Sequence, residues 1–378
     1  MILYSVLVNR GGLLRVFESL KLLFNYLDEQ TPLRVIYFSE SPLEELDPNR
    51  FIHINWKEGD FDALKDEGII KSKQEIESKL DITKVKRIIC DSTTYKYFED
   101  IPADFTYDIH ILERTLFKSL KECPASYQKL DEFINDKSFT LMMQIGLVGI
   151  NIENQILNRA DHLLVNSKTS IKDLHKDYSD IIDKKTVYQI PVSSKLNFKA
   201  KDRHNIKRKQ ILYQGRLHPQ KGLHFLLDKD WGFCPLTIKG LDQKLINSLD
   251  IEKYKNKGIT FEPWSSDSKN FQDTLENISF MIFPSIYEPY GLALQEALHL
   301  GKICICHDNN SGHNEQVIDG ENGFLIDMAQ NHLINKVQSI LNKSDEDLIR
   351  ISDNAINSVT ISEDDRLKKL ASYIESIS

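Results

Sequence analysis

Residues 279–327 read SFMIFPSIYEPYGLALQEALHLGKICICHDNNSGHNEQVIDGENGFLID, and this stretch decides the fold class. One apolar run ends at Pro284, and a second apolar run, Lys302–Cys306, leads into a polar turn that contains glycine. Between the two runs, Gly291 opens a stretch with helical spacing and Gly301 closes it. A strand, a loop, a helix and a second strand in this order predict a β-α-β unit of a parallel sheet.

The start of this helix is suited to a diphosphate. The first amides of a helix have no intrahelical partner and lie at the positive end of its dipole, so they attract anions. Gly291 has no Cβ, which lets a phosphate approach the backbone closely. Leu292 and Glu296 would share one face of the helix, with Glu296 one turn above these amides, where a ribose would lie.

Glu288 precedes the helix and can reach a sugar attached to that diphosphate. Two glutamates eight residues apart also occur by chance, and a glutamate on a surface helix is usually solvated. The surrounding order of an apolar run, Pro-Ser, Glu-Pro-Tyr-Gly-Leu and Glu-Ala favours a binding function over that alternative.

This segment resembles the donor-site signature of retaining glycosyltransferases of the GT-B architecture, the family with a Glu-x7-Glu motif. Tyr290 belongs to a Glu-Pro-Tyr-Gly run that is similar to starch and glycogen synthases. The resemblance covers nearly all of the chain. It implies an α/β protein with two Rossmann-like, doubly wound domains that face each other across a cleft.

A second motif lies in residues 211–223, ILYQGRLHPQKGL. Gly215 allows a tight turn after a strand, Arg216 offers a planar fork suited to phosphate, and Lys221 offers a point charge. A simple loop with two solvated cations is the alternative. The run resembles the family's Gly-Arg…Lys-Gly signature, which implies that both cations hold the donor diphosphate.

His110 lies near the end of the predicted strand 105–112, and Asp108 should share its face. A lone histidine on an apolar strand is more often a satisfied core residue. The resemblance implies that His110 lies beside the transferred sugar, and it implies that Gly11 and Gly12 form a loop that closes over the donor.

Further donor-binding positions follow from the resemblance. Lys239, Gly240 and Trp264 come directly after two predicted strands, and the resemblance implies that they border the nucleotide base. For Trp264, a half-buried structural role is the alternative. The full set predicted to bind the donor is Gly11, Gly12, Gly215, Lys239, Gly240, Trp264, Tyr290, Gly291, Leu292 and Glu296, with Glu288, Arg216, Lys221 and His110 as catalytic residues.

Length and charge agree with this interpretation. The chain has 378 residues, which favours two domains, predicted at 1–194 and 195–361 with a final helix, 362–378, returning to the first domain. A net charge of −8 and a pI near 5.8 argue against a nucleic-acid partner. The five cysteines are scattered without a CxxC motif, which indicates buried thiols in a reducing compartment.

No cofactor or metal is predicted, because Arg216 and Lys221 supply the positive charge that a metal supplies elsewhere. The pair Asp60 and Asp62 imitates a metal-binding motif but is interpreted as solvated surface. The first eight residues are too short an apolar run for a signal peptide, so we expect a cytoplasmic protein. Residues 113–150 carry Arg114, Lys118, Lys121 and Lys129 among apolar residues, which is typical of a solvated helix; a patch that faces the acceptor or the inner face of the membrane is the alternative.

The predicted function is a retaining glycosyltransferase that moves a sugar from a nucleoside-diphosphate donor, uridine being the commonest base in the resembled family. The acceptor class would be a glycan, a lipid-linked molecule or a protein. Two alternatives stand beside it: a non-catalytic partner subunit with the same fold, and a sugar-nucleotide epimerase, for which no acid and base set is found in the sequence.

Overall fold

The computed structural model describes residues 1–8, 12–43, 46–57, 66–123, 130, 136–193, 206–208, 210–263 and 274–378. Within these ranges no helix is both long enough and apolar enough to cross a membrane. The described chain forms two compact units. The first unit holds Met1–Thr115, Met143–Val192 and Ile361–Ser378, and the second holds Leu116–Met142 and Ser193–Thr360.

The first unit contains a seven-stranded sheet in which every neighbouring pair of strands is parallel. Its order, β3-β2-β1-β4-β5-β6-β7, reverses direction between β1 and β4. This is the doubly wound arrangement that the sequence predicted. The strands are β1 Ile2–Leu7, β2 Leu33–Ser39, β3 Phe51–Asn55, β4 Arg87–Cys90, β5 Asp104–Ile109, β6 His162–Val165 and β7 Thr186–Gln189.

Both faces of this sheet are buried. Side chains alternate between the two faces along each strand, so neighbouring residues pack in different apolar clusters. Leu3 and Leu7 of β1 pack in one apolar cluster, whereas Ile2, Tyr4 and Val6 pack in the other. The helices that precede residue 193 are α1 Gly12–Leu23, α2 Asp66–Lys79, α3 Glu113–Glu122, α4 Asp136–Arg159 and α5 Lys168–Ile182.

The last helix of the chain, α12 (Glu363–Ser376), belongs to the first unit. It starts with a capping box formed by Ser362 and Asp365. The Tyr373 hydroxyl lies 2.6 Å from Thr106 Oγ1 of β5 and 3.1 Å from His162 Nδ1 of β6. Hydrogen bonds to two strands therefore fasten this helix to the first sheet.

Glu153 of α4 is a fully buried carboxyl at the start of α3. It accepts hydrogen bonds from the backbone N–H of Glu113 at 2.7 Å, the backbone N–H of Arg114 at 3.3 Å and the Tyr178 hydroxyl at 2.7 Å. Burial raises the pKa of Glu153 from 4.5 to about 7, although these three hydrogen bonds act in the opposite direction.

We expect Glu153→Gln to become progressively more stable relative to the wild type as the pH rises from 4.5 to 7. In this window the folded protein keeps a proton on Glu153 that the unfolded chain loses, so the wild type loses stability, on the order of 3 kcal/mol, and levels off above pH 7. Glutamine keeps the shape and does not titrate. Urea unfolding of both proteins at pH 5 and pH 8 measures the effect, with the exposed Glu122→Gln as control. An equal stability difference at both pH values would contradict this assignment.

The second unit contains a six-stranded, all-parallel sheet with the order β10-β9-β8-β11-β12-β13. Its direction of winding reverses between β8 and β11, and ligands of such sheets bind beyond the carboxyl ends of the strands at this reversal. The strands are β8 Ile211–Gln214, β9 Leu236–Leu241, β10 Ile259–Pro263, β11 Phe280–Phe283, β12 Ile303–His307 and β13 Phe324–Ile326.

The helices of the second unit have five to eight residues before β13 and nine to fourteen residues after it. They are α6 Gln243–Ser248, α7 Ile251–Lys255, α8 Leu292–His299, α9 Gly312–Gln316, α10 Leu333–Leu341 and α11 Asp345–Ser358. The apolar spacing of residues 222–227 predicts a helix, and this prediction is wrong. Two 3-10 turns, Pro219–Lys221 and Leu223–Phe225, take its place, because Gly222 between them has a left-handed backbone.

Two features of the second unit bear on the sequence analysis: the cysteines of β12 and the segment 116–142. Cys304 and Cys306 alternate along the sequence of a strand, which predicts that both lie on one face. Both are free, fully buried and packed in one apolar cluster, so this prediction for β12 is confirmed. Segment 116–142, which was predicted to belong to the first domain, is grouped with the second unit. Leu130 packs in the core of that unit, and Cys123 packs against it, which accounts for the grouping.

Candidate functional site

The candidate site is formed by three loops at the carboxyl edge of the second sheet, following β8, β11 and β12. Hydrogen bonds tie the loops together. The Ile286 N–H donates to the Gln220 carbonyl at 2.8 Å, and the Gln220 side-chain amide donates to the Tyr287 carbonyl at 2.9 Å. The Gly312 N–H donates to the Glu288 carbonyl at 2.7 Å. The first two loops flank the reversal of the sheet, which is the position favoured for ligands.

An ion pair between Lys221 and Glu288 lies at the centre of these loops. The Lys221 ammonium donates to Glu288 Oε1, and the Ser285 hydroxyl donates to the same oxygen at 3.0 Å. Glu288 is only 7% exposed. Burial alone would raise the pKa of Glu288, but the charge of Lys221 and these hydrogen bonds outweigh it and hold the pKa below its usual value. Glu288 is therefore a buried carboxylate at neutral pH.

Gly291 is the N-cap of α8 and has a left-handed backbone with φ of 100°. A side chain is unfavourable there for two reasons: the backbone conformation, and the His313 ring, whose Cδ2 would lie 2.9 Å from a Cβ at this position. The first amides of α8 thus start directly after the Glu288 loop, as the sequence predicted.

Two histidines near this site are held neutral. Burial lowers the pKa of His313 to about 4 and that of His218 to about 3, and the positive charge of Lys221 adds to the effect in both. His218 Nδ1 accepts a hydrogen bond from the Gln220 N–H at 3.2 Å, so this nitrogen carries no proton. The His313 ring contacts Phe283 edge-on, with 5.8 Å between ring centres.

Several buried polar side-chain atoms of the three loops and the adjoining strand and helix have no hydrogen-bond partner within the described part of the chain. Buried polar groups are normally satisfied, so such a group of atoms indicates a place where water or a ligand is bound. The atoms are Tyr213 OH, Gln214 Oε1, Gln220 Oε1, Gln295 Oε1, Ser311 Oγ, His313 Nδ1 and Gln316 Oε1.

The other residues predicted in this unit take varied positions. Arg216 is exposed, and Glu296 is buried on the second turn of α8. Tyr290 is buried, and its hydroxyl accepts a hydrogen bond from the Gln295 amide at 3.0 Å. Leu292 is half-buried at the first position of α8.

Lys239 at the end of β9 is 5% exposed and already engaged. Its ammonium lies 2.8 Å from Thr274 Oγ1 and 3.4 Å from a carboxylate oxygen of Glu262. Gly240 packs on Gly215: a Cβ at Gly240 would lie 2.5 Å from the Gly215 carbonyl oxygen. Close backbone packing is therefore sufficient to explain both glycines.

The remaining predicted residues lie in the first unit or outside the described residues. His110 follows β5, with its Nε2 atom 3.5 Å from Asp108 Oδ2, and Asp108 also accepts a hydrogen bond from the Tyr4 hydroxyl. Gly12 is the first residue of α1. Gly11, Trp264, Asp60 and Asp62 lie outside the described residues. In the ranges that are described, no group of three or more His, Cys, Asp or Glu residues is arranged to hold a metal ion.

Three residues that organise the site were not predicted from the sequence. Ser285 holds the Glu288 carboxylate, Gln220 joins two loops, and the Gln316 amide donates to the Tyr290 carbonyl at 2.6 Å. Of these only Ser285 carried a signal, since it ends an apolar run three residues before Glu288. The two glutamines act on backbone carbonyls across loops, which no local pattern encodes.

Residues 194–358 match the family model described as glycosyl transferases group 1. A curated relative, the probable sucrose-phosphate synthase of Thermosipho melanesiensis, is 23% identical over 239 residues. That match covers 56% of this chain and 55% of the relative, so it spans about half the relative's length.

Solved structures share the fold over the whole chain. The sucrose-phosphate synthase from Thermosynechococcus elongatus has a TM-score of 0.75 at 17% identity and covers 100% of this chain and 98% of that chain. WaaG, a glycosyltransferase of lipopolysaccharide biosynthesis, has a TM-score of 0.66 at 14% identity, with 99% of each chain covered. Anabaena HepE, solved with UDP and glucose, has a TM-score of 0.65 at 15% identity, again with 99% of each chain covered.

The predicted α/β fold with two doubly wound parallel sheets is confirmed, and its structural neighbours are GT-B glycosyltransferases. The matched segment contains β8 to α11 and therefore all three loops of the site. Residues 194–358 of this chain are therefore similar to the glycosyl transferases group 1 family.

Proposed function

We propose that this protein is a retaining glycosyltransferase that transfers a sugar from a nucleoside diphosphate to an acceptor. The observation that carries the proposal is the partly buried Lys221–Glu288 pair, which lies beside the helix start at Gly291 in the segment that matches group 1. This arrangement offers a cation and helix amides for a diphosphate, and a carboxylate for the sugar attached to it.

The chemical problem is the departure of a diphosphate, whose bridging oxygen gains negative charge as the bond to the sugar breaks. Arg216, Lys221 and the first amides of α8 supply fixed positive charge for that oxygen. Fixed donors are effective because they need no reorganisation when the charge develops. In this proposal the two side-chain cations take the part that a metal plays in other transferases, and Glu288 orients the sugar and offsets positive charge at its anomeric carbon.

The nucleotide end of the donor is assigned to the remaining residues. We assign the ribose to Glu296 and the surroundings of the base to Lys239, Gly240, Tyr290 and Trp264. Uridine is the preferred base in this proposal, and the structural neighbour HepE, a complex with UDP and glucose, supports that choice.

A panel of nucleotide sugars tests the proposal. A ligand that binds only the folded protein stabilises it by about 2.7 kcal/mol at a hundredfold excess over its Kd. We expect one UDP-sugar to raise Tm more than matched GDP- or ADP-sugars. Proton NMR of the reaction then shows whether the anomeric configuration is kept on transfer.

The products also separate the alternatives. Transfer or slow hydrolysis with retained configuration supports a retaining transferase. Binding without any turnover indicates a non-catalytic partner subunit, and a changed sugar in the absence of acceptor indicates an epimerase. If no nucleotide sugar stabilises the protein, the proposal is wrong.

Glu296→Gln is expected to weaken nucleotide binding about tenfold, because hydrogen bonds from a ribose diol to a carboxylate are stronger than those to an amide. The loss should appear equally with UDP and with the UDP-sugar, since both contain the ribose. Calorimetry measures it, and the exposed Glu321→Gln is the matched control. An unchanged affinity for both ligands would remove the ribose role of Glu296.

A further inference from the structure

The Lys221–Glu288 pair presents a conflict within the proposed site. The cation assigned to the donor diphosphate is bound to a carboxylate of the same chain. A diphosphate that binds Lys221 therefore lies close to the negatively charged Glu288 carboxylate, whose position is fixed. This inference rests on the proposed function and concerns the effect of the Glu288 carboxylate on the affinity for different ligands.

The position of Glu288 is tightly determined. Ser285 donates to the carboxylate at 3.0 Å, and the Glu288 carbonyl accepts the Gly312 N–H at 2.7 Å. The Ser285 carbonyl accepts a hydrogen bond from the Asn309 amide at 2.8 Å. Because both ends of this loop are held and the side chain is buried, the carboxylate cannot swing into solvent when an anion arrives.

The two natural ligands of such a site differ in charge at the end that faces Glu288. In a nucleotide sugar, the terminal phosphate is esterified and the neighbouring group is a neutral sugar with hydroxyls, which donate hydrogen bonds to a carboxylate. In the free nucleoside diphosphate, the terminal phosphate carries an additional negative charge and no sugar. The same carboxylate therefore attracts the first ligand and repels the second.

We propose that Glu288 is a specificity-determining residue that discriminates the nucleotide sugar from the free nucleoside diphosphate. When the donor binds, Lys221 leaves Glu288 and pairs with the donor diphosphate. The sugar hydroxyls then donate hydrogen bonds to Glu288 in place of Lys221. The product diphosphate offers no such replacement, so Lys221 and Glu288 re-form their pair as it leaves. Glu288 thereby weakens the binding of the product nucleoside diphosphate.

The test compares the wild type with Glu288→Gln, which keeps the size of the side chain and removes its charge. Kd values for UDP, UDP-glucose and inorganic pyrophosphate are measured by calorimetry. A unit charge a few ångström from an anion in a site of intermediate dielectric changes affinity by about tenfold or more. We expect Glu288→Gln to bind UDP and pyrophosphate about tenfold more tightly and UDP-glucose no more tightly than the wild type.

The ratio of the Kd for UDP to the Kd for UDP-glucose should therefore fall about tenfold or more. The gain for UDP should shrink at high salt, because screening weakens charge interactions. Glu321→Gln, an exposed change of the same kind, should leave the ratio unchanged. If Glu288→Gln fails to fold, Glu288→Asp serves instead: it withdraws the carboxylate by one methylene and should lower the ratio less.

The outcomes separate this inference from the function on which it rests. If the wild type binds UDP-glucose and UDP but Glu288→Gln binds UDP no more tightly, the discrimination role is wrong and the proposed function stands. If the gain for UDP is equalled by the gain for UDP-glucose, Glu288 is a general anion repeller and the inference is also wrong. If the wild type binds no nucleotide from the panel, the proposed function itself fails.

Discussion

Lys221→Ala is expected to lower the rate of sugar transfer about 10²–10³-fold, the effect typical of removing one fixed partner of a charge that develops in a transition state. The loss should fall mainly on kcat, since the charge on the bridging oxygen grows as the diphosphate leaves. Initial rates over a range of donor concentrations measure the split between kcat and KM. Lys255→Ala, which removes an exposed lysine of the same unit, is the matched control.

A structural effect of this substitution has to be separated from the catalytic one. Without Lys221, the buried Glu288 carboxylate keeps the Ser285 hydroxyl but loses its cation, which costs about 2 kcal/mol. Thermal unfolding detects this loss. Because Arg216 is exposed, Arg216→Ala should reduce kcat by a similar factor without lowering Tm. Turnover near that of the wild type in both variants, with folding intact, would remove both residues from the mechanism.

The sheets could be predicted from the sequence because their strands are buried on both faces and therefore appear as short apolar runs. The apolar runs at Ile211–Gln214 and Phe280–Phe283 predict strands with the same bounds that the structure has. No strand was predicted at Phe51–Asn55, where His53 interrupts the apolar run, or at Phe324–Ile326, which is only three residues long. Element bounds depend on tertiary pairing, which a local pattern does not contain.

The sequence predicted the site residues that a local motif identifies. It did not predict contacts that depend on tertiary packing. Gly291 as a helix start and Glu288 before it follow from the sequence alone. That Lys221 pairs with Glu288, 67 positions away, does not, because the reversal between β8 and β11 brings the two loops together. The sequence also did not predict the contacts of the Lys239 ammonium with Thr274 and Glu262, since these partners lie 35 and 23 positions away; the role of Lys239 at the donor stays a prediction.

Gly222→Ala is expected to destabilise the second unit by about 3 kcal/mol or more and to abolish most transfer activity. Gly222 has φ of 69°, and a Cβ on it would lie 1.8 Å from the Pro284 carbonyl oxygen. This contact joins the two loops of the ion pair, since Lys221 directly precedes Gly222 and Ser285 directly follows Pro284. The loops must separate to admit a methyl group, and Lys221 and Glu288 separate with them.

Gly320→Ala is the control that isolates this steric effect. Gly320 has nearly the same backbone, with φ of 74°, but nothing lies within 4 Å of a Cβ placed there. Its substitution should cost only the left-handed conformation, about 1 kcal/mol, and leave transfer unchanged. For a unit of this size each kcal/mol lowers Tm by about 2–4 °C, so thermal unfolding resolves the two variants. Equal losses of Tm would mean that the loops yield to a methyl group at little cost, and the position of Lys221 would then not depend on their close packing.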